Sequence, residues 1–313
     1  MRLVQAVILV VGLVMLGLLL WKLDAHAVWG LVAQVGWGFV FIIGQEIGAH
    51  LLNALGWRFA YSADHAESFR YRDLLKFRVV GDSVNYLTPS AQLAGEFARA
   101  SLLNPAEPVD VRVSGVVVGK FCQGLSQFLF ALTGIGFLLR GRIPWLAPYE
   151  PWLRGLVVAA AVVGALMLVY ELRSERPEPA KRPEEGGLHH LPRHLIRYIR
   201  EHPGRLACSV GCYGLGFAWG AFEAYWICRF LGAPVSFATA IAIESLSCVF
   251  DAMCFFVPAK MGSQEAGKTA IFALLGLGAR TGLAFGVVRH IRELTWAASG
   301  MLLYTLHVKK TKN

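Results

Sequence analysis

The chain has 313 residues, 56% of them hydrophobic and 16% charged, with a mean hydropathy of +0.51. Soluble domains run near 25% charged, and the apolar residues here fall in runs longer than a soluble core uses, which excludes an ordinary cytosolic enzyme in favour of an all-α polytopic membrane protein. The formal charge of +9 is read as topology and not as nucleic-acid binding, because basic residues of membrane proteins gather in cytoplasmic loops and near anionic headgroups.

In chain order, Leu3 to Leu20 is apolar except for Gln5 and follows Arg2. It exceeds the ~7–15 residues of a signal-peptide core, so an uncleaved first span is favoured over a signal peptide, although Ala25-His26-Ala27 resembles a cleavage site. Five further spans follow at Trp37 to Ala60, Val113 to Leu139, Trp152 to Tyr170, Leu206 to Leu231 and Leu283 to Leu306. Between them lie two interrupted stretches, Phe77 to Leu103 and Ala238 to Leu277, each broken by one proline, Pro89 and Pro258. They are expected to be re-entrant hairpins, the simplest solution; two full spans in place of the second hairpin would also keep the tail inside.

The chain thus divides into a first membrane half (1–172, repeat at about 57–130), a linker (173–204) and a second half (205–313, repeat at about 226–300). Eight basic residues between Arg173 and Arg205 place the linker in the cytoplasm by the positive-inside rule. Its first part is rich in Glu and Pro and reads as disordered, while Leu191 to Glu201 suits a short helix on the inner membrane surface. The basic segment Arg58 to Arg78 and the tail Lys309, Lys310 and Lys312 belong on the same side, with the amino terminus. The six cysteines sit in apolar segments without metal-ligand spacing, so packing is their expected role.

Shifting the second half by 169 aligns Trp57 with Trp226, Asp82 with Asp251, Pro89 with Pro258 and Glu96 with Glu265. The same shift aligns Arg99 with Lys268 and Lys120 with Arg289. These are the rarest residue types in apolar segments, and the spans carrying the two tryptophans should run in opposite directions. Inverted repeats with broken helices are the usual plan of secondary transporters, with the binding site where the repeats meet. Thr88 is expected to cap a helix beginning at Pro89, whose free N–H groups would attract an anion. Glu96 with Arg99, and Glu265 with Lys268, are three apart and can share a helix face. An ionised side chain at the bilayer centre costs at least ~2.5–3.5 kcal/mol, so these residues need partners or water.

The candidate substrate site is therefore Asp82, Pro89, Glu96, Arg99, Lys120, Asp251, Pro258, Glu265, Lys268 and Arg289. Buried structural ion pairs are the competing account, and both can hold together. Lys120 and Arg289 could instead snorkel to headgroups. Arg292 and Glu293 extend the charged patch without a match in the first half, and Glu46, His50 and Asn53 form either a proton relay or interhelical hydrogen bonds, an ambiguity shared by Glu223. No nucleophile elbow, phosphate-binding glycine loop or metal motif occurs, so the protein reads as a transporter and not an enzyme, with no cofactor.

The stretches Asn85-Tyr-Leu-Thr-Pro-Ser-Ala-Gln-Leu-Ala-Gly-Glu-Phe-Ala-Arg99 and Val257-Pro-Ala-Lys-Met-Gly-Ser-Gln-Glu-Ala-Gly-Lys268 resemble the flippase-like transmembrane family named after lysylphosphatidylglycerol synthase. The resemblance covers nearly the whole chain and implies two opposed re-entrant hairpins in a protein that moves or handles lipids with a charged headgroup in the bacterial inner membrane. It includes a hopanoid-associated branch. The namesake's soluble aminoacyl-transfer domain has no counterpart here, so synthesis of lysyl lipid is not expected. Three functions follow: a lipid translocase without nucleotide hydrolysis, a non-transporting accessory to a lipid- or polysaccharide-biosynthesis enzyme, or an ion-coupled small-solute transporter. The expected partner is a membrane lipid with a polar or charged headgroup, and no nucleic acid.

Overall fold

The computed structural model describes residues 2–88, 93–138, 151–152, 155, 191–254 and 257–312. The described residues are helical, without strands. The helices are α1 (Arg2–Lys22), α2 (Ala25–Gln34), α3 (Gly38–Phe59), α4 (Ala63–Glu67), α5 (Tyr71–Leu87), α6 (Ala94–Leu102) and α7 (Val109–Leu138). They continue as α8 (Leu191–Glu201), α9 (Pro203–Phe230), α10 (Phe237–Met253), a 3-10 turn (Pro258–Lys260), α11 (Ser263–Leu274) and α12 (Ala279–Lys312). The expected span Trp152 to Tyr170 and the polar part of the linker lie outside the described residues, save for 152 and 155.

Helices α3 and α7 are long and apolar enough to cross a membrane, and α1 with α2 would make a third span bent by 93°. The bend sits at Asp24, whose φ of +66° is tolerated by a short polar side chain and whose carboxylate caps α2 by accepting from the Ala27 N–H. Helices α9 and α12, at 28 and 34 residues, run about 42 and 51 Å, longer than the ~30 Å hydrocarbon core. Buried charges such as Glu223, Arg289 and Arg292 lower their apolar character without shortening them. In contrast α6 and α11, at 9 and 12 residues, rise only about 14 and 18 Å.

Helix boundaries recur along the chain. Shifted by 169, α3, α5, α6 and α7 fall on α9, α10, α11 and α12 to within a few residues at most ends. Packing follows the same exchange: α3 crosses α9, α5 packs on α12, and α10 packs on α7. At the α3–α9 crossing, glycines on α3 admit aromatic rings from α9. A Cβ on Gly48 would meet the Trp219 ring at 2.4 Å, and one on Gly38 would meet Phe230 at 2.9 Å. Ser83 of α5 donates to the Trp296 carbonyl beside Gly300, and Ser245 of α10 donates to the Phe130 carbonyl beside Gly134, each bond being 3.3 Å. Such small-residue contacts let helix backbones approach where lipid offers no hydrophobic drive.

Two apolar clusters cap the bundle. One gathers Val28, Val32, Ile42, Ile227, Ile243, Phe272 and Phe285; the other gathers Trp57, Phe69, Leu74, Leu103, Val118, Cys122 and Tyr213. On α3, Glu46 and His50 lie between Ile42 of the first cluster and Trp57 of the second, so a polar layer separates them.

The second cluster's end of the bundle is basic. There Arg205 donates to the Tyr61 and Arg58 carbonyls, and Lys76 meets His307 at 3.1 Å. Helix α8 packs here against α7 and α9, burying Ile196 and Tyr198 and leaving Arg197 and Arg200 exposed. The Tyr198 hydroxyl donates to the Phe59 carbonyl, and burial pushes that hydroxyl up to about 12. Ile196 and Tyr198 of the expected surface helix therefore pack on the bundle.

Candidate functional site

The polar layer is built on both breaks between helices. At the first, α5 ends at Leu87, and the Thr88 hydroxyl donates to the Val84 carbonyl at 2.6 Å. Helix α6 begins at Ala94, and its Gly95 N–H donates to Asn85 Oδ1 at 2.7 Å. Asn85 thus satisfies a first-turn N–H from a neighbouring helix. The expected helix start at Pro89 lies outside the described residues. Gly95 is required by close approach, since a Cβ there would sit 2.0 Å from the Gly81 carbonyl.

Asp82 on α5 is the centre of the first charged group. It contacts Arg78 one turn earlier at 2.9 Å, Arg99 from α6, and His50 from α3 at 3.6 Å. Arg99 also holds Glu96 at 2.8 Å, and Lys120 from α7 reaches Glu96 at 3.4 Å. Four of the expected residues, Asp82, Glu96, Arg99 and Lys120, are therefore in one network, in which buried Arg78 and Arg99 are matched to two carboxylates. The guanidinium of Arg99 lies 6.0 Å from the Trp57 ring, and that of Arg78 lies 5.7 Å from Tyr213, which adds cation–π contact.

At the second break the chain leaves α10 at Met253 and turns through Pro258–Lys260. Ala259, Lys260 and Gly262 all have φ between +49° and +72°, a strained run that swings Lys260 back over the preceding helix. Its ammonium meets Asp251 at 3.0 Å and Glu293 at 3.6 Å. Lys268, with no exposed surface, faces Asp251 at 3.5 Å. Asp82–Arg99 and Asp251–Lys268 are the same contact at matched positions.

The matching then stops. Glu265 and Lys268 lie on one helix, as expected, but the partner of Glu265 is His290 at 2.7 Å. Arg289, the counterpart of Lys120, reaches neither Glu265 nor a headgroup position but Glu223 at 2.9 Å and Glu244 at 2.6 Å. Arg292 ties Glu46, Glu223 and Glu293 together at 2.5, 2.7 and 3.2 Å. Helix α3 therefore supplies a member to each group, His50 to the first and Glu46 to the second.

Sequence reasoning missed Arg78, Glu244, Lys260 and His290. Arg78 carried a signal in its spacing of four from Asp82. The other three have no charged residue at the matched positions, which are Leu75, Ala91 and Phe121, so a search for matched charges passed over them. Among the described residues no three His, Cys, Asp or Glu side chains converge to hold a metal ion. The layer can bind an ionic group by exchanging one internal partner for it, or take up a proton.

A family model described as Lysylphosphatidylglycerol synthase TM region matches residues 4–300. No curated protein and no solved structure matches the chain. The matched region contains every charged residue of the polar layer and both breaks. The chain belongs to the lysylphosphatidylglycerol synthase transmembrane-region family, a membrane protein tied to lipid metabolism.

Proposed function

We propose that the protein is a flippase-like lipid translocase, moving a lipid with a charged headgroup across the bacterial inner membrane without nucleotide hydrolysis. The observation that carries this reading is the recurrence of Asp82–Arg99 and Asp251–Lys268 at positions 169 apart, each beside a break between helices. Secondary transporters built from inverted repeats place their site near the midplane where the repeats meet, and the two matched pairs fit that plan.

In this reading α3 to α7 and α9 to α12 are inverted repeats, and α5–α6 and α10–α11 are opposed re-entrant hairpins, for which the lengths of α6 and α11 speak. The amino terminus, the linker and the carboxyl terminus are cytoplasmic, in line with the basic residues Arg58, Lys76 and Arg205 at the second cluster's end of the bundle. A phosphate would displace a carboxylate from Arg99, Lys120 or Lys268. A cationic headgroup would take the place of a base on Asp82, Glu96, Asp251 or Glu265. The tails remain in lipid beside the short helices.

The test is headgroup translocation in liposomes carrying the purified protein and labelled anionic, zwitterionic or cationic lipids, with the Glu96→Gln/Glu265→Gln variant alongside. The native protein should move one class, and the variant none while remaining folded. Movement of no class, with stable co-purification of a lipid-biosynthesis enzyme, would replace this reading by an accessory role.

A further inference from the structure

Eight acids meet in the polar layer: Glu46, Asp82, Glu96, Glu223, Glu244, Asp251, Glu265 and Glu293. Seven of them contact an arginine or a lysine. Glu265 is the exception among the described residues. Its carboxylate meets only the imidazole of His290, Oε1 to Nδ1 at 2.7 Å, and both side chains are buried. An arginine does not release its proton, so a carboxylate held by one has a fixed charge balance. A carboxylate held by histidine does not, because imidazole is the side chain that gains and loses a proton near neutrality.

The two halves differ at this point. Glu96, the match of Glu265, is held by Arg99 and Lys120 and approached by the Asn85 amide. The matches of those two bases, Lys268 and Arg289, have turned to Asp251 and to Glu223 and Glu244. His290 in turn matches Phe121, so the second half has a titratable group where the first has an apolar ring. Around the pair lie buried polar atoms with no hydrogen-bond partner among the described residues: Glu265 Oε2, both ring nitrogens of His290, Gln264 at both ends, Tyr86 Oη, Lys268 Nζ and Glu293 Oε2. Buried groups of this kind hold ordered water or a ligand, and a chain of water is what a proton needs to arrive.

We propose that Glu265 and His290 form a proton site that couples lipid movement to the proton gradient, an inference that rests on the translocase reading. Before uptake the pair is a carboxylate beside a neutral imidazole, with one net negative charge. A proton from water on one side binds Nε2 and gives carboxylate with imidazolium, with no net charge; release to water on the other side restores the first state. The groups facing the pair are Gln264 and Lys268 on α11, Glu293 and Arg292 on α12, Lys260 on the turn, Asp251 on α10, Tyr86 on α5, and Glu46 of α3 through Arg292. Helix α1 has no titratable side chain between Arg2 and Lys22. Each of the other acids there keeps an arginine or lysine partner, and Glu265 alone has an imidazole as its sole charged partner among the described residues, so we assign the exchanged proton to this pair.

Two measurements test this. In lipid nanodiscs, nitrogen NMR of labelled histidine between pH 8 and 5 should show a solvent-shielded imidazole that titrates, is lost in His290→Phe, and shifts its midpoint by more than about one pH unit in Glu265→Gln. In liposomes with a one-unit pH gradient, the native protein should sustain a leaflet ratio approaching about tenfold for one proton per lipid. The His290→Phe ratio should stay at one, whatever its rate. Lipid movement by the native protein with a ratio of one, or a His290 that does not titrate, would overturn the proposal. Failure of the translocase reading looks different: no lipid moves with or without the gradient, while the NMR titration still decides whether the pair binds a proton.

Discussion

Arg289 is the residue whose loss the structure prices most directly. It is buried and donates to Glu223 at 2.9 Å and to Glu244 at 2.6 Å. Replacing it by methionine keeps most of the volume and removes the charge. Glu223 retains Arg292 at 2.7 Å, but Glu244 has no second base within ion-pair distance among the described residues. One uncompensated buried carboxylate costs about 3–5 kcal/mol. At the 2–4 °C per kcal/mol typical of soluble chains of 150–250 residues, Arg289→Met should lower Tm by roughly 6–20 °C. The six cysteines are free, and Cys122, Cys228 and Cys248 are buried, so heating in detergent with a thiol-reactive dye reports unfolding without added labels. Adding Glu244→Gln to Arg289→Met removes the orphaned charge and should recover more than half of the loss. A single variant within 1–2 °C of native, or a double variant no better than the single, would refute the reasoning.

Other outcomes follow from close contacts and from topology. Gly95→Ala must move a Cβ away from the Gly81 carbonyl, now 2.0 Å from it, and should abolish translocation, measured in liposomes, by parting Glu96 and Arg99 from Asp82. Gly48→Ala forces the Trp219 ring aside and should cost about 1–3 kcal/mol in the same thermal assay, the usual range for overpacking. With exposed Cys208 first changed to serine, Arg197→Cys and Lys309→Cys should be labelled by an impermeant reagent only from the cytoplasmic side, and Lys22→Cys only from the other.

Much of the architecture was legible because membrane helices announce themselves by long apolar runs and charges within them are rare. The shift of 169, found from six residues, also sets the helix boundaries of the second half. Sequence could not show that α8 turns its apolar face to the bundle, because Ile196 and Tyr198 suit a membrane or a protein surface equally. Nor could it show Asn85 reaching Gly95, since a cap from a neighbouring helix has no fixed spacing. The partners of Glu265 and Arg289 were hidden for a related reason. A repeat predicts like contacts, and it fails where the halves have diverged, as Phe121 and His290 have.

The central claim is that the matched charged groups carry the lipid headgroup. The most direct test is the initial rate of headgroup translocation by an Asp82→Asn/Asp251→Asn variant, with Tm taken on the same preparation. The account predicts a rate no faster than protein-free liposomes from protein that still melts cooperatively. A native rate from the folded variant would contradict it.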